Sequence, residues 1–159
     1  MPRILMAADA PWVVDEVAAA VSGPDCELVA LTTGLAVRPW LEETAEEGTE
    51  PDLVVLDLQI GNMGGMAVCQ ELRLEEDAGR LPPVPVLMLL DRRADVFLAK
   101  RVDAEGWLVK PLDPIRIRRA VNTLLAGGTY YDGSYAPEPI LVAAPGQVTE
   151  PAAGPPPAH

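Results

Sequence analysis

The sequence predicts an α/β fold built on a doubly wound, five-stranded parallel sheet. Short apolar runs alternate with amphipathic segments from residue 3 to residue 125. One of these runs, 53–56, leads directly into Asp57, and the carboxyl end of a buried parallel strand is where open α/β sheets place their ligands. Strands that alternate with helices need long crossovers, which give a parallel sheet covered on both faces. The right-handed crossover rule makes the doubly wound topology the natural one.

Each predicted element has a local signal. The five predicted strands are apolar runs bounded by turn residues, in chain order 3–8, 26–31, 53–56, 85–90 and 106–109. The five predicted helices carry apolar residues at helical spacing, in chain order 11–21, 35–47, 64–76, 94–101 and 114–125. Pro11 and Pro114 fit first helical turns, Asp113 is placed to cap the last helix, and Gly48 closes the second.

Composition argues against several classes of function. The chain has 159 residues, 49% of them hydrophobic, which is enough for one sizeable core. A net charge of −12 argues against bulk nucleic-acid binding. The single histidine is His159, which disfavours imidazole catalysis, and Cys26 and Cys69 form no CxxC pair. No apolar run reaches the roughly 18 residues of a membrane span, so we expect a cytoplasmic protein.

The residues around Asp57 resemble a response-regulator receiver domain over about residues 1–126. The resemblance rests on Asp9 after the first strand, the run 51–58, the sequence 63–66 leading into a helix, and Lys110 with its flanking residues. It implies a flavodoxin-like (βα)5 fold. In that family the aspartate matching Asp57 accepts a phosphoryl group from a histidine kinase, and the lysine matching Lys110 contacts that group.

The resemblance also implies a metal site and two switch positions. The metal ligands would be Asp9, Asp57 and the backbone carbonyl of Gln59, and the switch positions fall on Leu90 and Trp107. Several residues depart from the family pattern. Ala8 replaces one acid of the metal site, Leu90 replaces a hydroxyl residue, Gly61 and Gly64 replace a proline and an aspartate, and Asp91 adds a carboxylate. We therefore expect Mg²⁺ to bind weakly or not at all, no other cofactor, and a vestigial phosphoacceptor.

Charge and composition single out two further regions. The segment 92–119 holds eight of the twelve basic residues and only four acids, so a basic sector spans the expected fourth helix, fifth strand and fifth helix. The segment 127–159 contains seven prolines and all three tyrosines, and is expected to be an extended docking tail. The residues predicted to bind a partner are Arg92, Arg93, Arg101, Arg116, Arg118, Arg119, Tyr130, Tyr131, Tyr135, Ile140 and Leu141.

Three functions are compatible with these features. The first is a non-enzymatic, receiver-like module that binds a larger assembly through the basic sector and the tail, independently of phosphorylation. The second is a working single-domain response regulator, with Asp57 phosphorylated in a relay with a sensor histidine kinase. The third is a flavodoxin-like carrier or small enzyme, although the chain has no Ser/Thr/Gly-rich phosphate loop after its first strand. A dedicated DNA-reading module is not expected, so the domain should not bind DNA by itself.

One partner is suggested by the resemblance. The Ala, Val, Pro and Gly usage is typical of a high-GC bacterium. A degenerate receiver with such a tail is similar to receiver-like accessory subunits of proton-pumping NADH:quinone oxidoreductase, respiratory complex I, in such bacteria. That resemblance implies a protein held peripherally at the membrane through its complex. A sensor kinase, an anti-sigma system or another regulator fits the same features.

Overall fold

The computed structural model describes residues 1–61 and 63–133. Their strands and helices alternate in chain order: β1 Arg3–Ala7, α1 Pro11–Val21, β2 Glu27–Leu31, α2 Val37–Glu47, β3 Leu53–Asp57, α3 Gly65–Asp77, β4 Val86–Leu90, α4 Val96–Arg101, β5 Gly106–Val109, α5 Pro114–Leu125 and β6 Tyr130–Tyr131. The predicted elements are all present, and their ends differ from the expected ones by at most two residues. The second and fourth helices each begin later than expected because a single 3-10 turn precedes them.

The sheet is parallel throughout, in the order β2-β1-β3-β4-β5-β6. This confirms the doubly wound prediction, with one difference in strand number. Tyr130 and Tyr131, predicted as part of an extended tail, add a sixth strand beside β5, where they pair with Gly106 and Trp107. The chain therefore continues past residue 126 along the free edge of the sheet.

The core consists of two apolar layers, one on each face of the sheet. Strand residues alternate between them: on β3, Val54 and Leu56 face the layer under α2, α3 and α4, whereas Leu53 and Val55 face the layer under α1 and α5. All four are fully buried. Burial on both faces explains why these strands are continuous apolar runs in the sequence.

Local caps fix the ends of two helices. Asp113 caps α5 as predicted, because its carboxylate accepts a hydrogen bond from the backbone N–H of Arg116. Gly48 ends α2 in the left-handed conformation, with φ of 72°. Within the described ranges, none of the helices has both the length and the apolar character needed to cross a bilayer.

Candidate functional site at the carboxyl edge of the sheet

Asp57 is the last residue of the central strand β3, so its side chain emerges where the carboxyl ends of β1, β3, β4 and β5 converge. It lies opposite Leu89 of β4 and is only 1% exposed. The backbone N–H of Gln59 points at its Oδ1 atom from 3.4 Å. A carboxylate this deeply buried requires a charged or hydrogen-bonding partner.

Lys110 supplies that partner. Its position directly after β5 places its Nζ atom 2.7 Å from Oδ1 of Asp57. The same Nζ atom lies 2.9 Å from Oδ1 of Asp91, the residue that follows β4. Its third neighbour is the ring of Trp12 at the start of α1, with the ring centroid 5.6 Å away. Lys110 thus joins three strand ends and the first helix.

The burial of this cluster controls its charges. Loss of hydration raises the pKa of Asp57 above its ordinary value, and the hydrogen bond and charge of Lys110 only partly offset that effect. Burial also disfavours the charged form of Lys110, but its hydrogen bonds to Asp57 and Asp91 outweigh that effect and raise its pKa. The lysine is therefore firmly protonated, and the buried aspartate is more easily protonated than an exposed one.

Asp9, another predicted metal ligand, lies after β1 at the same edge of the sheet. Oδ2 of Asp9 accepts a hydrogen bond from the backbone N–H of Gly61 at 2.8 Å, which directs this carboxylate to the loop after β3. Ala8 is a buried apolar residue. Within residues 1–61 and 63–133, no three His, Cys, Asp or Glu side chains lie close enough together to hold a metal ion. Ala8 stands where the family has an acid, so Asp9 and Asp57 are the carboxylates of the predicted set that remain for Mg²⁺.

The two predicted switch positions are both buried. Leu90 is fully buried in the layer under α2, α3 and α4 and offers no hydroxyl group. Trp107 is 5% exposed and stacks on Tyr131 of β6, with ring centroids 4.3 Å apart. Lys100 approaches the Trp107 ring to within 5.9 Å. The aromatic residue is thus held by its own chain.

The predicted basic sector divides into exposed and structural residues. Arg92, Arg93 and Arg101 are exposed before and at the end of α4, and Arg92 pairs with Asp95 at 3.0 Å. Arg119 is exposed on α5. Arg118, also exposed, points towards α1, because its Nε atom donates to a backbone carbonyl of that helix at 3.2 Å.

Arg116 is a poor candidate for partner binding. Its side chain is only 14% exposed and forms ion pairs with Asp113 and Asp132. It also donates to the backbone carbonyl of Pro111. Asp132 was not among the predicted site residues, yet it is 8% exposed and accepts a hydrogen bond from the backbone N–H of Val109 at 2.9 Å. These contacts fasten the end of β6 to β5 and α5.

The tail residues fall into two groups. Tyr130 is half-buried and Tyr131 is 56% exposed, both on β6. Tyr135, Ile140 and Leu141 lie outside the described residues.

Comparison with known proteins agrees with the architecture. Residues 4–122 match the family model described as the response regulator receiver domain. The chain is 32% identical over 127 residues to the DNA-binding dual master transcriptional regulator RpaA of Synechocystis, covering 79% of this chain and 49% of that protein. It is 33% identical over 106 residues to the probable transcriptional regulator ycf27 of Cyanophora paradoxa, covering 60% and 42% respectively. The chain thus spans about half the length of these curated relatives.

Solved structures show the same fold. A response regulator described as putative, from Chloroflexus aurantiacus, superposes with a TM-score of 0.68 at 20% identity, over 79% of this chain and 99% of that one. The receiver domain of a histidine kinase from Syntrophus aciditrophicus gives a TM-score of 0.65 at 24% identity, over 91% and 100%. The family match covers most of the chain, and the buried aspartate and lysine lie at the strand ends that the resemblance assigns to them. This chain belongs to the response regulator receiver domain family.

Proposed function

We propose that this receiver domain is a protein-binding module that engages a larger assembly through the face formed by α4, β5 and α5, without phosphorylation of Asp57. The stacking of Tyr131 on Trp107 carries this proposal. The resemblance makes Trp107 the aromatic residue that changes position when a receiver is activated. In this chain a strand of the same chain covers the residue, which restrains the movement that a phosphoryl group would otherwise trigger.

The exposed side chains of this face favour an acidic partner. Phe97 on α4 is 56% exposed, and Lys100 and Arg101 are exposed in the last turn of the same helix. An aromatic anchor beside exposed cations is the composition that protein interfaces favour. The rest of the chain is strongly acidic, so this cationic patch would steer an acidic surface towards α4.

The assembly to probe first is NADH:quinone oxidoreductase, to which the resemblance to accessory subunits points. Association with that complex would place this protein at the membrane periphery. A sensor histidine kinase is the corresponding partner for a phosphorylated regulator.

Affinity capture with the full chain tests the proposal. Tagged wild type, Asp57→Asn and the double variant Lys100→Glu with Arg101→Glu would be compared. A matched control reverses two exposed acids on α2, Glu43→Lys with Glu46→Lys. We expect wild type, Asp57→Asn and the α2 control to retain the same partner, and the α4 double variant to lose it. Loss of the partner with Asp57→Asn alone would overturn the proposal.

One observation favours a second candidate, a phosphorylated single-domain regulator. Asp57 and Lys110 retain a direct contact of 2.7 Å at the position that the family uses for phosphotransfer. In that case partner capture should depend on Asp57 and should change when a phosphodonor is present.

A further inference from the structure

Asp91 has an unusual position for a carboxylate beside a phosphoacceptor. It follows β4 directly, and Lys110 follows β5 directly, and the backbone N–H of Lys110 donates to the carbonyl of Leu90 at 2.8 Å. This backbone contact sets Asp91 and Lys110 next to each other at the edge of the sheet. Oδ1 of Asp91 then accepts a hydrogen bond from Nζ of Lys110 at 2.9 Å.

Two carboxylates share the ammonium group of Lys110. A lysine ammonium has three N–H donors. Two of them reach Asp57 and Asp91, and the ammonium lies against the face of Trp12. An anionic group that arrives at Asp57 competes with these two carboxylates for Lys110.

Asp91 is the neighbour that such an anion would displace, because Asp57 itself must carry the incoming group. A second negative charge beside Asp57 also opposes the approach of a phosphoryl oxygen. Oδ2 of Asp91 is buried and has no hydrogen-bond partner within the described part of the chain. Lys110 is therefore the hydrogen-bond partner of this carboxylate, through Oδ1, and the described residues offer it no alternative partner.

We propose that Asp91 is a positioning residue that occupies Lys110 in place of a phosphoryl group and so keeps the site at Asp57 closed to phosphoryl anions. This inference rests on the proposed function and deepens it, because it names the residue that makes the domain independent of phosphorylation. Asp91 acts through Lys110 and needs no contact with the partner.

The first test measures the reactivity of Lys110. The chain has only two lysines, Lys100 and Lys110, so the exposed Lys100 serves as an internal reference. The full chain, as wild type and as Asp91→Ala, is acetylated with limiting acetic anhydride, and both sites are quantified by peptide mass spectrometry. We expect Asp91→Ala to raise the ratio of Lys110 to Lys100 acetylation by about tenfold, because the loss of one of its two carboxylate partners makes the amine easier to deprotonate. Asp25→Ala, an exposed acid at the opposite edge, is the matched control and should leave the ratio unchanged.

The second test measures entry of an anion. Beryllofluoride, a phosphoryl mimic, is titrated with Mg²⁺ into a variant that carries the family residues Ala8→Asp and Leu90→Thr, with Asp91 either retained or changed to Ala. Fluorine NMR reports the bound anion, and Asp57→Asn in the same background defines non-specific binding. We expect the variant with Asp91→Ala to bind at least about tenfold more tightly, which is one decade in Kd.

Two results would overturn the inference. One is an acetylation ratio that Asp91→Ala does not change, and the other is equal beryllofluoride affinity with and without Asp91. The first test depends only on a substitution at a partly exposed residue, so it stands even if the multiple variant does not fold. Failure of the proposed function is separate, because it appears as partner capture that depends on Asp57.

Discussion

Tyr131 lies almost flat against Trp107, with ring centroids 4.3 Å apart and ring planes inclined by 22°. The contact joins the last described strand to β5, the strand that ends next to Lys110. The family match ends at residue 122, before this strand begins. The strand covers a sheet edge with the chain's own residues, which protects that edge from pairing with another strand.

Removing the tyrosine ring should loosen this edge. Tyr131→Ala is expected to lower the free energy of unfolding by about 1 kcal/mol through loss of the aromatic pair. It should also shift the emission of Trp107 to longer wavelength, because water gains access to the indole. Urea unfolding and tryptophan fluorescence measure the two effects. Leu74→Ala, at an exposed position on α3, is the control, and an equal emission shift in that variant would contradict the assignment.

Asp132 should contribute more to the free energy of unfolding than its place near the end of the described chain suggests. Asp132→Ala leaves the guanidinium of Arg116 and the N–H of Val109 without this acceptor. Breaking a buried ion pair from one side costs about 3 kcal/mol, and chemical denaturation would measure it. Asp113→Asn removes the other carboxylate near Arg116 at a more exposed position while preserving the helix cap. The two variants should differ clearly in their free energy of unfolding. Equal losses would argue against Asp132 as the main partner of Arg116.

Asp57 should make stability depend on pH in a definite direction. Burial raises its pKa in the folded chain above the ordinary 3.8. The stability that such a group contributes to the folded state is fully present below pH 3.8, and it is lost as pH rises through the raised pKa of the folded chain. Asp57→Asn lacks this titration, so its stability relative to wild type should increase as pH rises across that window. Urea midpoints across this range test the sign, and a relative gain on acidification would contradict it.

Two adjacent glycines provide a stringent test of the loop that follows Asp57. A Cβ atom at Gly65 would lie 2.4 Å from the carbonyl oxygen of Asp57, whereas one at Gly64 would lie 3.5 Å from that of Leu58. Gly65→Ala should therefore destabilise the domain by about 1–3 kcal/mol or more, since backbone must move. Gly64→Ala makes only an ordinary contact and should be tolerated. Thermal unfolding distinguishes the pair, and similar melting temperatures would refute the packing described for this loop.

The sequence predicted the layered fold because its strongest signals are local. The apolar run before Asp57 and the proline at the start of α5 each specify an element without reference to distant residues. Tyr130 and Tyr131 carry no such signal. They follow two glycines and form only a two-residue strand, whose existence depends on the edge of β5.

The site was predictable in its residues but not in its contacts. The resemblance to the receiver family placed Asp57, Lys110 and Asp91 near one edge of the sheet. Their pairing depends on the register of three strands, which no short pattern encodes. The ion pair of Arg116 with Asp132 was not predicted for a related reason, because Asp132 belongs to a segment that was expected to extend away from the domain.

Intact-mass spectrometry after incubation with acetyl phosphate and Mg²⁺ tests the central claim most directly. Wild type and Asp57→Asn would be compared as full chains under the same conditions. If Asp57 is vestigial and Lys110 is held by Asp91, both proteins should keep their unmodified mass. A stable phosphoryl adduct on wild type that is absent from Asp57→Asn would show that this receiver still accepts phosphate and would contradict the account.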